Sequence, residues 1–130
     1  MTGVEPAPAT WRHLLDEAIR QLGDVLEARW IVAEAAGVPA ARLLAGLDEP
    51  AAAGAAGEVR ALVDRRRLGE PLQHVLGKWE WRRLEVTVDG RALIPRPETE
   101  TLLDHALREL DRFASEAGGG LVAADLGTGS

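Results

Sequence analysis

Apolar positions recur every three or four residues through the first half of the chain and predict a series of short helices. Trp11, Leu14, Leu15, Ala18, Ile19 and Leu22 fall on one face of a helix that Thr10 can cap and Gly23 can end. Asp24 followed by Glu27 resembles a capping box, opening a second helix that carries Leu26, Trp30, Ile31, Ala33 and Ala35 and stops at Gly37. A short third helix follows Pro39 with Leu43 and Leu44, and Leu47-Asp48-Glu49-Pro50 reads as a turn into a fourth. Gly54 and Gly57 each weaken the start of that helix by about 1 kcal/mol relative to Ala. Val59, Leu62 and Val63 then carry it to Gly69.

Past Gly69 the period changes. Glu70 to Gly77 reads as a break and a short connector. Trp79 and Trp81 alternate with Lys78, Glu80 and Arg82, and Leu84, Val86 and Val88 alternate with Glu85, Thr87 and Asp89, so two strands are expected. Asp89-Gly90 is a good turn pair. The stretch Leu93-Ile94-Pro95-Arg96-Pro97-Glu98-Thr99-Glu100 comes next. Its prolines make Ile94 and Arg96 extended and let Pro97 begin a helix, with Glu98 and Glu100 against the positive end of the dipole. Leu102, Leu103, Ala106, Leu107, Leu110 and Phe113 predict that helix from Pro97 to about Arg112. Residues 115 to 120 read as a flexible loop, and Leu121 to Leu126 has the apolar run of a buried parallel strand leading into Gly127-Thr128-Gly129-Ser130.

Composition narrows the classes. The chain has 130 residues, 46% hydrophobic and 4% aromatic, with Ala, Leu and Val dominant, which favours close-packed helices. A net charge of −6 argues against direct nucleic-acid or anionic-membrane binding. There is no cysteine, hence no disulfide framework or thiolate metal site. His13, His74 and His105 are scattered, so no metal site is expected. Residues 1 to 9 are rich in Pro and Ala and read as a frayed start without a secretory signal. A cytoplasmic protein is the expectation.

Three stretches could carry function. Arg65-Arg66-Arg67 closes the fourth helix, where cations suit the dipole; it reads as a solvated face or, more sharply, as a docking patch. Arg96 and Thr99 beside the rigid Pro-Arg-Pro entry could be a polar wall of a site or simply a helix start. An apolar strand, an acidic residue and Gly-x-Gly is the shape of a nucleotide-type ligand loop, because glycine lets backbone N–H groups approach a ligand closely. A glycine turn without a ligand fits the same residues.

The residues Arg67-Leu68-Gly69-Glu70-Pro71-Leu72-Gln73-His74-Val75-Leu76-Gly77, then Leu93 to Glu100, then Asp125-Leu126-Gly127-Thr128-Gly129-Ser130, together resemble the HemK/PrmC family of protein-glutamine N-methyltransferases acting on peptide chain release factors. The resemblance implies an N-terminal all-α bundle plus a β-hairpin linker, followed by the start of an α/β Rossmann-like S-adenosylmethionine-dependent methyltransferase domain. It divides the chain into a release-factor-docking helical domain (1–70), a connector and hairpin (71–93), and the first helix, strand and glycine loop of a methyltransferase domain (94–130). Asp125, Gly127, Thr128, Gly129 and Ser130 match the family's cofactor loop. Arg96, Glu98 and Thr99 match a block near its active site.

The family's catalytic Asn-Pro-Pro-Tyr motif is absent from these residues, so no catalytic residue is assigned. In the family, that motif orients a poorly nucleophilic amide nitrogen towards the methyl donor. The expectation is an N-terminal part of a longer enzyme, a monomer, inactive alone and binding S-adenosylmethionine weakly or not at all. The competing expectations are a release-factor-binding module without catalysis and, more remotely, a methyltransferase acting on amino groups of nucleic-acid bases.

Overall fold

The computed structural model describes residues 9–118 and 120–127. The expected fraying of the first eight residues lies outside them, as do Thr128, Gly129 and Ser130. The described chain forms two compact units, the first ending at Leu76 and the second beginning at Gly77.

The first unit is a bundle of five helices: α1 (Trp11–Leu22), α2 (Val25–Ala36), α3 (Ala40–Ala45), α4 (Ala55–Arg67) and α5 (Leu72–Leu76). Thr10 caps α1 by accepting from the His13 N–H at 3.3 Å, and Gly23 ends it with φ +71°, a conformation that suits glycine. The turn before α4 is stitched to the start of α1. Ala51 N–H donates to Ala9 O at 2.8 Å, and Arg12 N–H donates to Leu47 O at 2.7 Å. The core joins Leu14, Leu15 and Ala18 of α1, Ala28, Ile31 and Val32 of α2, Leu43 of α3, Val59 and Val63 of α4, and Leu72 and Val75 of α5.

Two local expectations need correcting. The connector expected over Glu70 to Gly77 contains a helix, α5, because Leu72 and Val75 are spaced to reach the core together. The second concerns the capping box. Asp24 does cap α2, accepting from Leu26 N–H at 2.8 Å and Glu27 N–H at 3.0 Å. The Glu27 carboxylate, however, does not close the box. It accepts two hydrogen bonds from the Arg66 guanidinium, at 2.7 and 2.8 Å.

The second unit holds strands β1 (Lys78–Trp81) and β2 (Leu84–Thr87), paired antiparallel with Trp79 opposite Val86 and Trp81 opposite Leu84, and the helix α6 (Pro97–Ala117). The hairpin turns through Arg82 and Arg83, with Arg82 at φ +56°. Asp89-Gly90 is a separate turn after β2, held by the Asp89 carboxylate accepting from Arg91 N–H at 2.9 Å. Arg82 also pairs with Asp104 of α6 at 2.6 Å. α6 runs past the expected end at Arg112 to Ala117, where Gly118 at φ +71° stops it, so Ser115, Glu116 and Ala117 of the expected loop are helical.

The strand expected over Leu121 to Leu126 is not formed among the described residues; that stretch is irregular and exposed. A strand is defined by a hydrogen-bonded neighbour, and the only pairing of strands among the described residues is the hairpin's. The helical bundle and hairpin are therefore seen, and the opening of a Rossmann-like sheet is not.

Candidate functional site

The arginine run at the end of α4 is neither wholly solvated nor a free patch. Arg65 grips the α5 segment: its guanidinium donates to the Glu70 carboxylate at 2.8 and 2.5 Å, to His74 O at 3.0 Å and to Val75 O at 3.2 Å. The last two are C-terminal carbonyls of a short helix, which lack intrahelical donors. Arg65 holds the Glu70 carboxyl below the usual carboxylate range by hydrogen bonding. Arg66 ties α4 to α2 through Glu27 and donates to Glu70 O at 3.2 Å. Arg67 is half exposed, 3.7 Å from Asp64.

On α2 the outcome differs from the sequence expectation in a way that exposes a surface. Leu26 and Trp30, placed with Ile31 on the apolar set, are 56% and 40% exposed. The core-facing residues are Ala28, Ile31, Val32 and Ala33. Leu26 and Trp30 are four residues apart and lie side by side on the helix surface, as do Val25 and Arg29. Val25 is exposed as well. The signal lay in the spacing: a stripe through 28, 31, 32 and 35 already fills one face, so 26 and 30 fall off it. Arg29 is half-buried, and its Nε is sealed from solvent with no hydrogen-bond partner.

The Arg96 block is ordered around the start of α6. Arg96 is its N-cap, with extended backbone (φ −104°, ψ 145°) and no side-chain cap; Pro97 opens the helix, and Thr99 N–H donates to Arg96 O at 3.0 Å. Arg96, Glu98 and Thr99 are exposed and share this first turn. Asp125 and Gly127 lie in irregular chain beyond the other end of the 21-residue helix, about 30 Å of helix axis further on. Gly127 has φ +83°, suited to a tight turn, and a Cβ built there meets nothing within 4 Å. Asp125 is exposed, and its neighbours Val122 and Leu126 are 98% and 91% exposed. Thr128, Gly129 and Ser130, the rest of that loop, lie outside the described residues. No cluster of His, Asp or Glu among them could hold a metal, and no helix is long and apolar enough to cross a membrane.

Residues 10–77, which span the whole of the bundle from the Thr10 cap to the end of α5, match the model of the PrmC N-terminal domain. The chain belongs to the PrmC N-terminal domain family. Similar proteins extend the likeness beyond the domain. A release factor glutamine methyltransferase of Burkholderia pseudomallei is 39% identical over 130 residues, covering 100% of this chain and 43% of that protein. One from Moorella thermoacetica is 39% identical over 127 residues, covering 93% of this chain and 43% of that protein. One from Gloeobacter violaceus is 39% identical over 128 residues, with 97% and 42% covered. The chain thus spans less than half the length of the curated relatives it matches. For this PrmC-family chain, the sequence blocks that carried the resemblance lie in both units: Arg67 to Gly77 closes the bundle, and Leu93 to Glu100 enters α6.

Proposed function

We propose that this chain is the release-factor-docking portion of a release factor glutamine methyltransferase. In this reading the whole enzyme transfers a methyl group from S-adenosylmethionine to the side-chain amide nitrogen of the glutamine in the Gly-Gly-Gln motif of peptide chain release factors. It acts in the cytoplasm, in translation termination, as a monomer. One observation carries the reading: the likeness to methyltransferases of that name runs across the whole chain, through the bundle and α6 alike. S-adenosylmethionine, when bound, supplies the methyl group; the residues of this chain contribute binding and placement.

The division of labour follows from the residues. The 130 residues contain no asparagine at all, so the side chain that accepts from the substrate amide in the family's Asn-Pro-Pro-Tyr motif is not among them. Orientation of that amide is therefore beyond their reach. Arg96, Glu98 and Thr99 form a polar surface on the first turn of α6 suited to line a site, and Asp125, Gly127, Thr128, Gly129 and Ser130 supply a glycine loop that a sheet must organise before it can cradle a cofactor. In this reading the exposed apolar stripe of α6 and the apolar run Leu121 to Leu126 become the first helix and first strand of that sheet only when the rest of it covers and pairs them. What the chain offers without it is the bundle.

The test is to incubate the 130-residue chain with a bacterial release factor and S-adenosylmethionine labelled in the methyl group. The expected result is a chain–release factor complex, seen by calorimetry, with no label on the release factor. Label transfer by these residues alone contradicts the division proposed, and absence of any complex contradicts the docking role.

A further inference from the structure

We propose that the surface of α2 made by Val25, Leu26, Arg29 and Trp30 is where this chain grips its protein partner, through a partner carboxylate set among apolar side chains. The proposal rests on the release-factor reading and names the face and the chemistry by which the release factor is held.

The first observation is a cation without an anion. The three carboxylates within five residues of Arg29 are engaged elsewhere: Asp24 accepts from the helix amides of Leu26 and Glu27, Glu27 accepts two hydrogen bonds from Arg66, and Glu34 has an interaction of its own. Among the described residues Arg29 makes no ion pair, and its Nε is buried without a partner. A desolvated guanidinium donor is costly to leave unmet, and the fork geometry of arginine matches a carboxylate. The second observation is the collar. Val25 and Leu26, four and three residues before Arg29 on the helix, and the adjoining Trp30 are all exposed, although the same helix buries Ile31 and Val32 completely. An arginine beside a tryptophan inside an apolar rim is the composition of interface anchors, where exclusion of water strengthens the central ion pair.

The third observation is rigidity. α2 is capped by Asp24 at one end and by Gly37 at the other, and Glu27 is clamped to α4. A partner meets a surface already in place, so little ordering opposes binding. Charge complementarity selects the occupant. A basic partner segment leaves Arg29 unmet and adds repulsion, whereas an acidic and apolar one satisfies the guanidinium and covers the collar.

The experiment titrates a purified bacterial release factor into the 130-residue chain and its variants by calorimetry, with melting followed by circular dichroism. Arg29→Glu and the pair Leu26→Ala with Trp30→Ala should each weaken binding by about tenfold or more without lowering the melting temperature. Arg29→Lys should retain part of the affinity, and Arg60→Glu, a reversal on exposed α4 surface, should retain all of it. Wild-type affinity in either Arg29→Glu or the Leu26/Trp30 double variant overturns the proposal and leaves the release-factor reading standing. No binding by the unaltered chain overturns both. Dimerisation of the chain alone, seen by light scattering and abolished by Arg29→Glu, assigns the face to a second copy and also overturns it.

Discussion

Ile31 of α2 and Leu107 of α6 both sit in the middle of a helix, the first with no exposed surface and the second 42% exposed. The two helices are equally legible as helices, and both have good starts: Asp24 caps one, and Pro97 with Glu98 and Glu100 opens the other. What separates them is covering. α2 meets α1, α3, α4 and α5, and its small and branched residues pack closely against them. α6 has 21 residues and buries none. A helix draws most of its stability from the packing of its apolar face, so α6 relies on propensity, its entry turn and the Arg82–Asp104 pair. The bundle is a finished object. The helix of the second unit leaves its apolar face open among the described residues.

The largest expected effect that sharpens this contrast is on thermal and denaturant stability. Ile31→Ala should cost about 2–5 kcal/mol, because it opens a cavity among Ala28, Val32 and their neighbours. Leu107→Ala should cost about 0.5 kcal/mol or less, since that side chain already meets water. Denaturation of both variants followed by circular dichroism checks the pair. Equal costs contradict the contrast.

A smaller effect probes what locks the bundle. Arg66→Met removes the two hydrogen bonds to Glu27 and the one to Glu70 O. With these groups half-buried, the loss should be about 1 kcal/mol. A change indistinguishable from zero makes that link a bystander.

The smallest is in pH. Arg65 lowers the Glu70 pKa, Arg12 lowers that of Asp48, and hydrogen bonds from Gln21 and then Arg20 lower that of Glu17. A folded pKa below the unfolded one means stability is fully present above the ordinary carboxylate range, near about pH 4, and is lost as pH falls through the lowered values. Melting temperature should therefore fall as the pH is lowered past about 4. The Glu70→Gln variant should show a shallower fall than the unaltered chain, and an unchanged slope excludes this pair as a contributor.

Much of this architecture could be read from residue order. Thr10, Asp24, Gly23 and Gly37 act as the expected caps, and the Trp79–Trp81 and Leu84–Val86 alternations form the expected hairpin. Local chemistry decides such features, so local residues reveal them. The exposure of Leu26 and Trp30 was carried only by helical spacing, which a helix with apolar residues on both faces blurs. The Arg66–Glu27 clamp was equally hidden, since its partners are 39 residues apart. The apolar run Leu121 to Leu126 has strand composition, yet strand formation needs a neighbour that composition does not provide. Of the site residues, the Arg96 block was legible through its prolines, whereas no pattern announces an arginine left without an anion.

Amide hydrogen exchange on the 130-residue chain compares the two units in a single sample. The account predicts slow exchange at Ile31, Val32 and Val63 in the bundle and exchange near the rate of an unfolded chain from Leu121 to Leu126. Protection across 121 to 126 matching that of the bundle would contradict it.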